Sequence, residues 1–226
     1  MKSVQRPADC VAAALAITLG LVAVAAAQPP GAPRFADEIA RFAAADSTAP
    51  PLPGGVLFVG SSSIRMWETL AADFPGVAVL NRGFGGSELE DVIRYADRIV
   101  FPYAPRLIVL YAGDNDLTAG KPPARVYADY RAFADSVRAR LPAACLAYIS
   151  IKPSPARWAL ADSMRAANAL IARHARTDPR LAYIDVFTPM LGPDGKPRPE
   201  LFGRDKLHMN REGYDVWKAA VAPHVK

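Results

Sequence analysis

Cysteine and histidine, the residues from which disulfides and most transition-metal sites are built, are scarce in this chain. Its 226 residues include 2 cysteines and 3 histidines, which form neither an H-E-x-x-H motif nor a Cys/His cluster. Zinc sites need ligands at such spacings. We therefore expect no metal and no cofactor, so any chemistry must come from ordinary side chains.

A large surplus of charge of one sign is also absent. Lys and Arg number 27 against 22 for Asp and Glu, and the arginines are scattered along helical stretches instead of forming a run. Nucleic-acid binding requires basic charge gathered on one face, so no nucleic-acid partner is expected. Hydrophobic residues make up 51% of the chain, which is ample for a globular core.

The one long hydrophobic run lies at the N-terminus. A short basic segment precedes the apolar run Cys10–Ala27, and this pattern predicts a signal peptide cleaved before Gln28. The alternative is an uncleaved anchor, since the run is just long enough to span a bilayer, but it consists mostly of alanine. We expect residues 1–27 to be removed, leaving a secreted or periplasmic protein without stable membrane insertion. Cys145 would then be the only cysteine, which excludes an intramolecular disulfide.

After residue 28 short apolar runs alternate with longer amphipathic ones. The apolar runs lack polar alternation, which is typical of strands covered by helices on both faces. Predicted strands comprise residues 56–60, 77–81, 106–112, 145–151 and 181–186, and predicted helices comprise 35–46, 63–72, 87–100, 122–140, 155–176 and 210–222. Ser87 and Glu90 form the capping-box pattern of a helix start.

This alternation of strands and helices predicts the architecture. It indicates an α/β fold, a three-layer α/β/α sandwich with a five-stranded parallel sheet of the flavodoxin-like kind. We expect the domain to cover residues 55–226, with an N-terminal helix and linker at 28–54. In such sheets, ligands bind at the carboxyl ends of the strands.

Three candidate functional residues follow the predicted strands. Ser62 lies on a strand-to-helix turn, Gly86 in a glycine-rich turn after the second strand, and Asn115 after the third. A serine so placed suits a nucleophile, glycine N–H groups can bind anions, and an Asn amide can donate to an oxyanion. Each also has a purely structural interpretation, as a helix cap, a tight turn or a side chain bonded to its own backbone.

Asp205 and His208 form the fourth candidate group, near the C-terminus. A histidine that acts as a general base needs a carboxylate to orient its ring, and a spacing of three residues allows this within one turn. Ordinary surface residues are the alternative for this stretch taken alone. His174 and His224, the other two histidines, are interpreted as solvated surface groups.

In this order and spacing the motifs resemble those of the SGNH hydrolase superfamily, which includes the GDSL esterases. FVGSSSIRMW is similar to the first block of that family, NRGFGGSELEDV to the second, YAGDNDL to the third and DKLHMNREGYDVW to the last, over residues 55–222. The resemblance implies that Ser62 is a nucleophile and that Asp205 and His208 complete its triad.

The resemblance also implies an oxyanion hole, formed by the N–H groups of Ser62 and Gly86 and by the Asn115 amide. One position departs from the family pattern, because the aspartate that usually precedes the nucleophile is Ser61 here. That aspartate is not a member of the triad, so activity is expected to survive the change.

The function implied is that of a secreted serine esterase that hydrolyses short-chain acyl esters, with a small-molecule or carbohydrate ester as its partner. The alternatives are a carbohydrate O-acetylesterase or O-acyltransferase with the same triad, and a non-catalytic binding protein that keeps the fold. Segments 113–123 and 152–158 are short, which suggests an open site without a lid and favours acetyl over long acyl chains. In the latter segment, Arg157 or Trp158 either contacts the substrate or belongs to a rigid proline turn.

The choice of nucleophile among three consecutive serines is directly testable. Ser62→Ala should abolish hydrolysis of p-nitrophenyl acetate and leave the circular dichroism spectrum unchanged, whereas Ser63→Ala should have a milder effect. Full activity of Ser62→Ala together with an inactive Ser63→Ala would show that the motif is misaligned by one residue.

Overall fold

Five short strands form one parallel sheet at the centre of the computed structural model, which describes residues 34–226. The strands are β1 Val56–Gly60, β2 Val79–Gly83, β3 Leu107–Tyr111, β4 Cys145–Ile149 and β5 Leu181–Ile184. Their order is β2-β1-β3-β4-β5 and all neighbours are parallel, so the flavodoxin-like prediction is confirmed.

Eight α-helices follow or precede these strands within the described residues. They are α1 Ala36–Thr48, α2 Ser62–Arg65, α3 Leu70–Asp73, α4 Leu89–Ile99, α5 Asp114–Thr118, α6 Pro123–Arg140, α7 Ala161–Ala175 and α8 Arg211–Val225. Short 3₁₀ segments lie at Phe101–Tyr103, Pro155–Leu160, Thr188–Met190 and Pro199–Leu201. The predicted signal peptide, residues 1–27, lies outside the described residues. Between residues 34 and 226 no helix has both the length and the apolar character of a membrane span.

The two faces of the sheet bury separate hydrophobic cores. In β1, Leu57 and Val59 contribute to one core and Val56 and Phe58 to the other, because successive side chains of a strand point to opposite faces. Helices α1, α4, α6 and α7 cover the first core, and α2, α3 and α8 cover the second. The structure is therefore the predicted three-layer sandwich, and the buried strands explain why their sequences show no polar alternation.

Strand β2 and helix α4 are displaced from their predicted bounds for local reasons. Strand β2 begins and ends two residues later than expected, at Val79–Gly83. Its last residue packs against α2, where a Cβ atom at Gly83 would collide with backbone atoms of Ile64 and Arg65. Helix α4 begins at Leu89 instead of in the Ser87–Glu90 box. Its capping contact is one residue further on, since the Glu88 N–H donates to the carboxylate of Asp91 at 3.0 Å.

The predicted helix 63–72 is two short helices, separated by residues 66–69. At this break Trp67 turns into the second core, and its indole N–H donates to Asp73 at 2.8 Å. Tertiary packing thus overrides the helical pattern of the sequence. The same Asp73 carboxylate accepts from Arg211 at 2.6 Å and so ties the start of α8 to α3.

Asp73 is a buried carboxylate that accepts hydrogen bonds both from the core residue Trp67 and from Arg211 of α8. Burial alone would raise the pKa of its carboxyl, but hydrogen bonds from Arg211, Thr69 and Trp67 more than offset this and hold the pKa well below the usual range. A carboxyl with a depressed folded-state pKa stabilises the fold above the unfolded pKa of about 3.9 and loses this contribution as pH falls.

Asp73→Asn should therefore lower the free energy of unfolding by roughly 1–3 kcal/mol at pH 7, because the charge-assisted hydrogen bonds weaken. In urea unfolding followed by circular dichroism, the difference from the natural chain should shrink once the pH is below about 4. The matched control is Asp162→Asn, whose exposed carboxylate contacts only Arg165, and it should change little. A difference that stayed constant down to pH 3 would contradict a role for the Asp73 charge.

Candidate active site

Ser62 is presented by a sharp turn at the carboxyl end of β1. The turn requires glycine at Gly60, which has a φ of 132° and where a Cβ atom would collide with the carbonyl oxygen of Tyr111. The next N–H, that of Ser61, donates to the same carbonyl at 2.9 Å. Ser61 and Ser63 are buried and Ser62 is partly exposed, and both Ser62 and Ser63 line a cavity. Of the three serines, Ser62 therefore has the most accessible side chain.

His208 lies against Ser62 in the structure. Its Nε2 is 2.9 Å from the Ser62 Oγ, and its Nδ1 is 2.6 Å from the Asp205 Oδ2. Because an ionised carboxylate can only accept, Nδ1 carries a proton, which leaves Nε2 of the neutral ring free to accept from the serine hydroxyl. This is the contact pattern of a nucleophile, a base and the carboxylate that orients the base.

The Asp205 carboxylate is held ionised by the turn that contains it. Its Oδ1 accepts the backbone N–H groups of Leu207 and His208 at 3.0 Å each. The Leu207 N–H, followed by the imidazole of His208, lowers the pKa of Asp205 to about 2. The carboxylate is half exposed to solvent, so its attraction for the histidine is screened, and its main effect is to fix the orientation of the ring.

The loop that carries Asp205 and His208 is closed at both ends. Phe202 and Met209 form an isolated bridge, and the Gly203 N–H donates to the His208 carbonyl at 2.8 Å. Just beyond, the Asn210 side chain accepts the Gly213 N–H at 3.1 Å and caps α8. His208 is therefore held by a short bridged loop anchored on a capped helix.

Gly86 and Asn115 lie side by side at the neighbouring strand ends. A Cβ atom at Gly86 would be 3.8 Å from the Asn115 Nδ2, and that Nδ2 donates to the Ser87 carbonyl at 3.0 Å. Asp116 holds the segment that follows Gly86, because its carboxylate accepts the Leu89 N–H at 3.2 Å at the start of α4. Burial raises the pKa of Asp116 to about 6, against the opposing effect of Lys121.

These residues share one cavity of about 200 Å³. Ser62, Gly86, Asn115 and His208 all line it, and Asp205 lies behind His208. The structure thus brings together the candidates from four separate parts of the sequence.

Arg157 and Trp158, predicted as alternative substrate contacts, separate in the structure. Arg157 lines the cavity. The indole of Trp158 stacks on Phe187 with ring centroids 6.5 Å apart, beneath the guanidinium of Arg165, and it is not among the residues that line the cavity. The cause is the 3₁₀ segment Pro155–Leu160, which is kinked at Arg157 and sends successive side chains in different directions. The placement therefore gives no support to a substrate contact for Trp158.

Three charged residues that line the cavity were not predicted, namely Arg65, Asp114 and Lys152. Asp114 precedes Asn115 and looked like a turn residue, and Lys152 lies in the proline-rich segment after β4. The Lys152 Nζ is 3.5 Å from the Asp114 Oδ2, and the Arg157 Nη1 is 2.9 Å from the same oxygen. Burial lowers the pKa of Lys152, an effect that Asp114 opposes. The sequence could have indicated Asp114 and Lys152 by their positions, because they come just after the predicted strands 106–112 and 145–151.

The remaining histidines are only partly exposed, whereas solvated surface positions were expected. His174 is half-buried, with its Nδ1 3.4 Å from the Tyr127 hydroxyl and its ring edge-on to Tyr130, and His224 is also half-buried. Neither lines the cavity with Ser62. In residues 34–226 no group of three or more His, Cys, Asp or Glu side chains is arranged to hold a metal ion.

At the carboxyl edge of the parallel sheet, a serine is hydrogen-bonded to a histidine, and that histidine is hydrogen-bonded to a carboxylate. Serine-type hydrolases have this arrangement. Residues 54–216 match the family model described as the GDSL-like lipase/acylhydrolase family. The chain therefore belongs to that family, and it is a carboxylic ester hydrolase. No match was found among curated protein sequences.

Solved structures share the fold at low sequence identity. A GDSL-like lipase from Bacteroides thetaiotaomicron has a TM-score of 0.68 and 21% identity, with 83% of this chain and 96% of that chain covered. A lipase/acylhydrolase from Enterococcus faecalis has a TM-score of 0.57 and 18% identity, covering 76% and 95%. A catalytic mutant of an acetylxylan esterase from Geobacillus stearothermophilus has a TM-score of 0.62 and 11% identity, covering 77% and 95%. At these identities the likeness establishes the fold alone.

The pH dependence of ester hydrolysis separates the two titratable members of the candidate triad. A histidine base must be neutral to accept the serine proton, whereas a carboxyl with a pKa of about 2 stays ionised above pH 4. We expect kcat/KM to rise through roughly pH 6–7.5 and then level off, since protonation removes the acceptor on Nε2. The measurement is initial rates on p-nitrophenyl acetate at constant ionic strength, corrected for the uncatalysed reaction. A kcat/KM that falls over this range would rule out a histidine base.

Proposed function

We propose that this ester hydrolase is a serine esterase that cleaves short acyl esters, acetyl esters above all, through an acyl-enzyme on Ser62. The observation that carries the proposal is the continuous set of contacts from the Ser62 Oγ to His208 at 2.9 Å and from His208 to Asp205 at 2.6 Å. The sequence analysis assigned this triad from the resemblance of its motifs to a family, and the side-chain distances give the assignment further support.

In the proposed mechanism the Ser62 oxygen attacks the ester carbonyl carbon while its proton passes to the His208 Nε2. The negative charge that develops on the carbonyl oxygen is stabilised by the N–H groups of Ser62 and Gly86 and by the Asn115 amide. The tetrahedral intermediate then expels the alcohol, which takes the proton from His208.

The second half of the reaction regenerates Ser62. A water molecule gives a proton to His208 and attacks the acyl carbon, and the acid leaves as the Ser62 oxygen recovers its proton. Asp205 keeps the imidazole in the required tautomer throughout. Every proton is returned, so Ser62 and His208 end the cycle in their starting protonation states.

The preference for a short acyl chain is supported by the lining of the cavity. Besides the residues of the mechanism, charged side chains contribute most of the walls, namely Arg65, Asp114, Lys152 and Arg157. A long alkyl chain would displace water from the exposed parts of Arg65 and Arg157 without hydrogen-bonding to them, which is unfavourable. The apolar cavity of about 320 Å³ borders residues 55–57 and 78–80, at the opposite end of the strands from Ser62.

The same polar lining favours an alcohol part that carries hydroxyl groups, so an acetylated carbohydrate is the second candidate substrate. A transferase differs from a hydrolase only in whether a sugar hydroxyl replaces water in the second half-reaction. A non-catalytic binding protein would not need the 2.9 Å contact between Ser62 and His208. Export of the mature chain, secreted or periplasmic, is part of the proposal and rests on the sequence of residues 1–27.

A series of p-nitrophenyl esters tests the acyl preference. We expect kcat/KM to fall by about tenfold or more from acetate to octanoate, because the charged walls exclude added methylene groups, and to be lowest for palmitate. Acetylated xylooligosaccharide and sugar acetates run in parallel test the carbohydrate candidate, and detection of acetyl-sugar instead of free acetate would identify a transferase. Ser62→Ala is the control for uncatalysed hydrolysis. Faster turnover of palmitate than of acetate would contradict the proposal.

A further inference from the structure

We propose that Arg157 is a positioning residue that fixes the orientation of the Asn115 amide, and that Asp114 and Lys152 hold Arg157 in place for this task. The inference rests on the proposed function, because it concerns the amide that would stabilise the oxyanion. It assigns a role to the buried charged group at the side of the cavity, which the steps of the mechanism do not use.

An asparagine can serve as an oxyanion donor in only one of two orientations. Its amide carries an accepting oxygen and a donating nitrogen of nearly the same shape, and a half-turn about the last side-chain bond exchanges them. In the orientation seen here, one Nδ2 proton of Asn115 is used by the Ser87 carbonyl at 3.0 Å, and the second has no partner among the described residues. After a half-turn an oxygen would take that place and repel the developing charge.

The two neighbours of the amide both favour the productive orientation. The Ser87 carbonyl can only accept, and it faces Nδ2. The guanidinium of Arg157 can only donate, and its Nη2 is 3.0 Å from the Asn115 Oδ1. Turning the amide would bring two oxygens together at Ser87 and two donors together at Arg157. Arg157 is the partner of Asn115 that a substitution can remove, since the other is backbone.

Arg157 is itself fixed by a buried ion group. Its Nη1 is 2.9 Å from the Asp114 Oδ2, and the same oxygen is 3.5 Å from the Lys152 Nζ. Lys152 is 1% exposed, so its charge is compensated by Asp114 and not by water. Asp114 and Asn115 are adjacent at the start of α5, which lets one guanidinium reach both. The backbone adds a further restraint, since the Ala156 N–H donates to the Lys206 carbonyl at 3.1 Å.

Arg157 also lines the cavity, so direct substrate binding is the rival explanation. The two roles differ in their kinetics. A residue that acts through Asn115 changes kcat, and its effect disappears when Asn115 is absent. A residue that binds the substrate in the ground state changes KM, and its effect persists without Asn115.

A double-mutant cycle with p-nitrophenyl acetate separates these roles. Asn115→Ala should lower kcat by about 10²–10³-fold, as removal of one oxyanion donor does. Arg157→Met should lower kcat by about tenfold or more with KM within about twofold, and Arg157→Lys, which restores a donor, should recover part of the loss. The double variant should be within about twofold of Asn115→Ala alone. The same tenfold loss in both backgrounds, or a rise in KM with kcat unchanged, would overturn the inference.

The matched control is Arg165→Met. Arg165 packs on Trp158 in α7 and is not among the residues that line the cavity, so its removal should leave kcat and KM unchanged. Thermal unfolding of each variant shows whether a loss of activity reflects a loss of fold.

A second readout does not depend on activity. The Asn115 side-chain amide protons can be identified by nuclear magnetic resonance from their disappearance in Asn115→Ala. Arg157→Met should accelerate their exchange or split them into two sets, whereas Arg165→Met should not. A natural chain that hydrolyses no ester would refute the proposed function while this spectrum still decides the positioning role. Unchanged Asn115 signals in Arg157→Met would refute the positioning role whatever the activity.

Discussion

The parallel pairing of β1 with both of its neighbours is the constraint on which the site depends. Gly60 is in register with Gly83 of β2 and with Tyr111 of β3, so the three strands end at the same level. The loops that follow carry Ser62, Gly86 and Asn115, and they start from positions about one strand spacing apart. A serine, a glycine turn and an asparagine separated in the sequence are thus brought to one cavity without any long excursion of the chain. Glycine at Gly60 is what permits the close approach to β3.

The fourth contributor, His208, comes from a different kind of structure. It does not end a strand but lies in a bridged loop between a 3₁₀ segment and α8. Its position depends on how α8 packs, and the ion pair of Arg211 with Asp73 joins that helix to the layer that contains α2. The distance from His208 to Ser62 therefore depends on side-chain contacts between helices, whereas the placement of Gly86 and Asn115 depends on backbone pairing.

Sequence patterns predicted the fold well because strands that are buried on both faces appear as continuous apolar runs. All five apolar runs contain strands, and Ser62, Gly86, Asn115 and His208 line one cavity, with Asp205 behind His208. The features that were missed depend on partners far away in the sequence. The break between α2 and α3 arises because Trp67 reaches Asp73, and the opposite directions of Arg157 and Trp158 arise from a kink in a 3₁₀ turn. Lys152 and Asp114 form a buried ion pair although they lie far apart in the sequence, so no local spacing could predict the pair.

The hydrogen bond from the Ala156 N–H to the Lys206 carbonyl gives the segment after β4 a double attachment. On one side Arg157 reaches the Asn115 amide, and on the other the neighbouring backbone supports the loop of Asp205 and His208. The segment therefore contacts both the Asn115 side and the His208 side of the cavity, and we expect a change in its length to displace both. For the redesign of substrate range this makes residues 152–157 a poor site for inserted loops. Arg65 offers a better starting point, because its half-exposed side chain lines the cavity from α2 and, among the described residues, makes only a 4.0 Å ion pair, with Glu38.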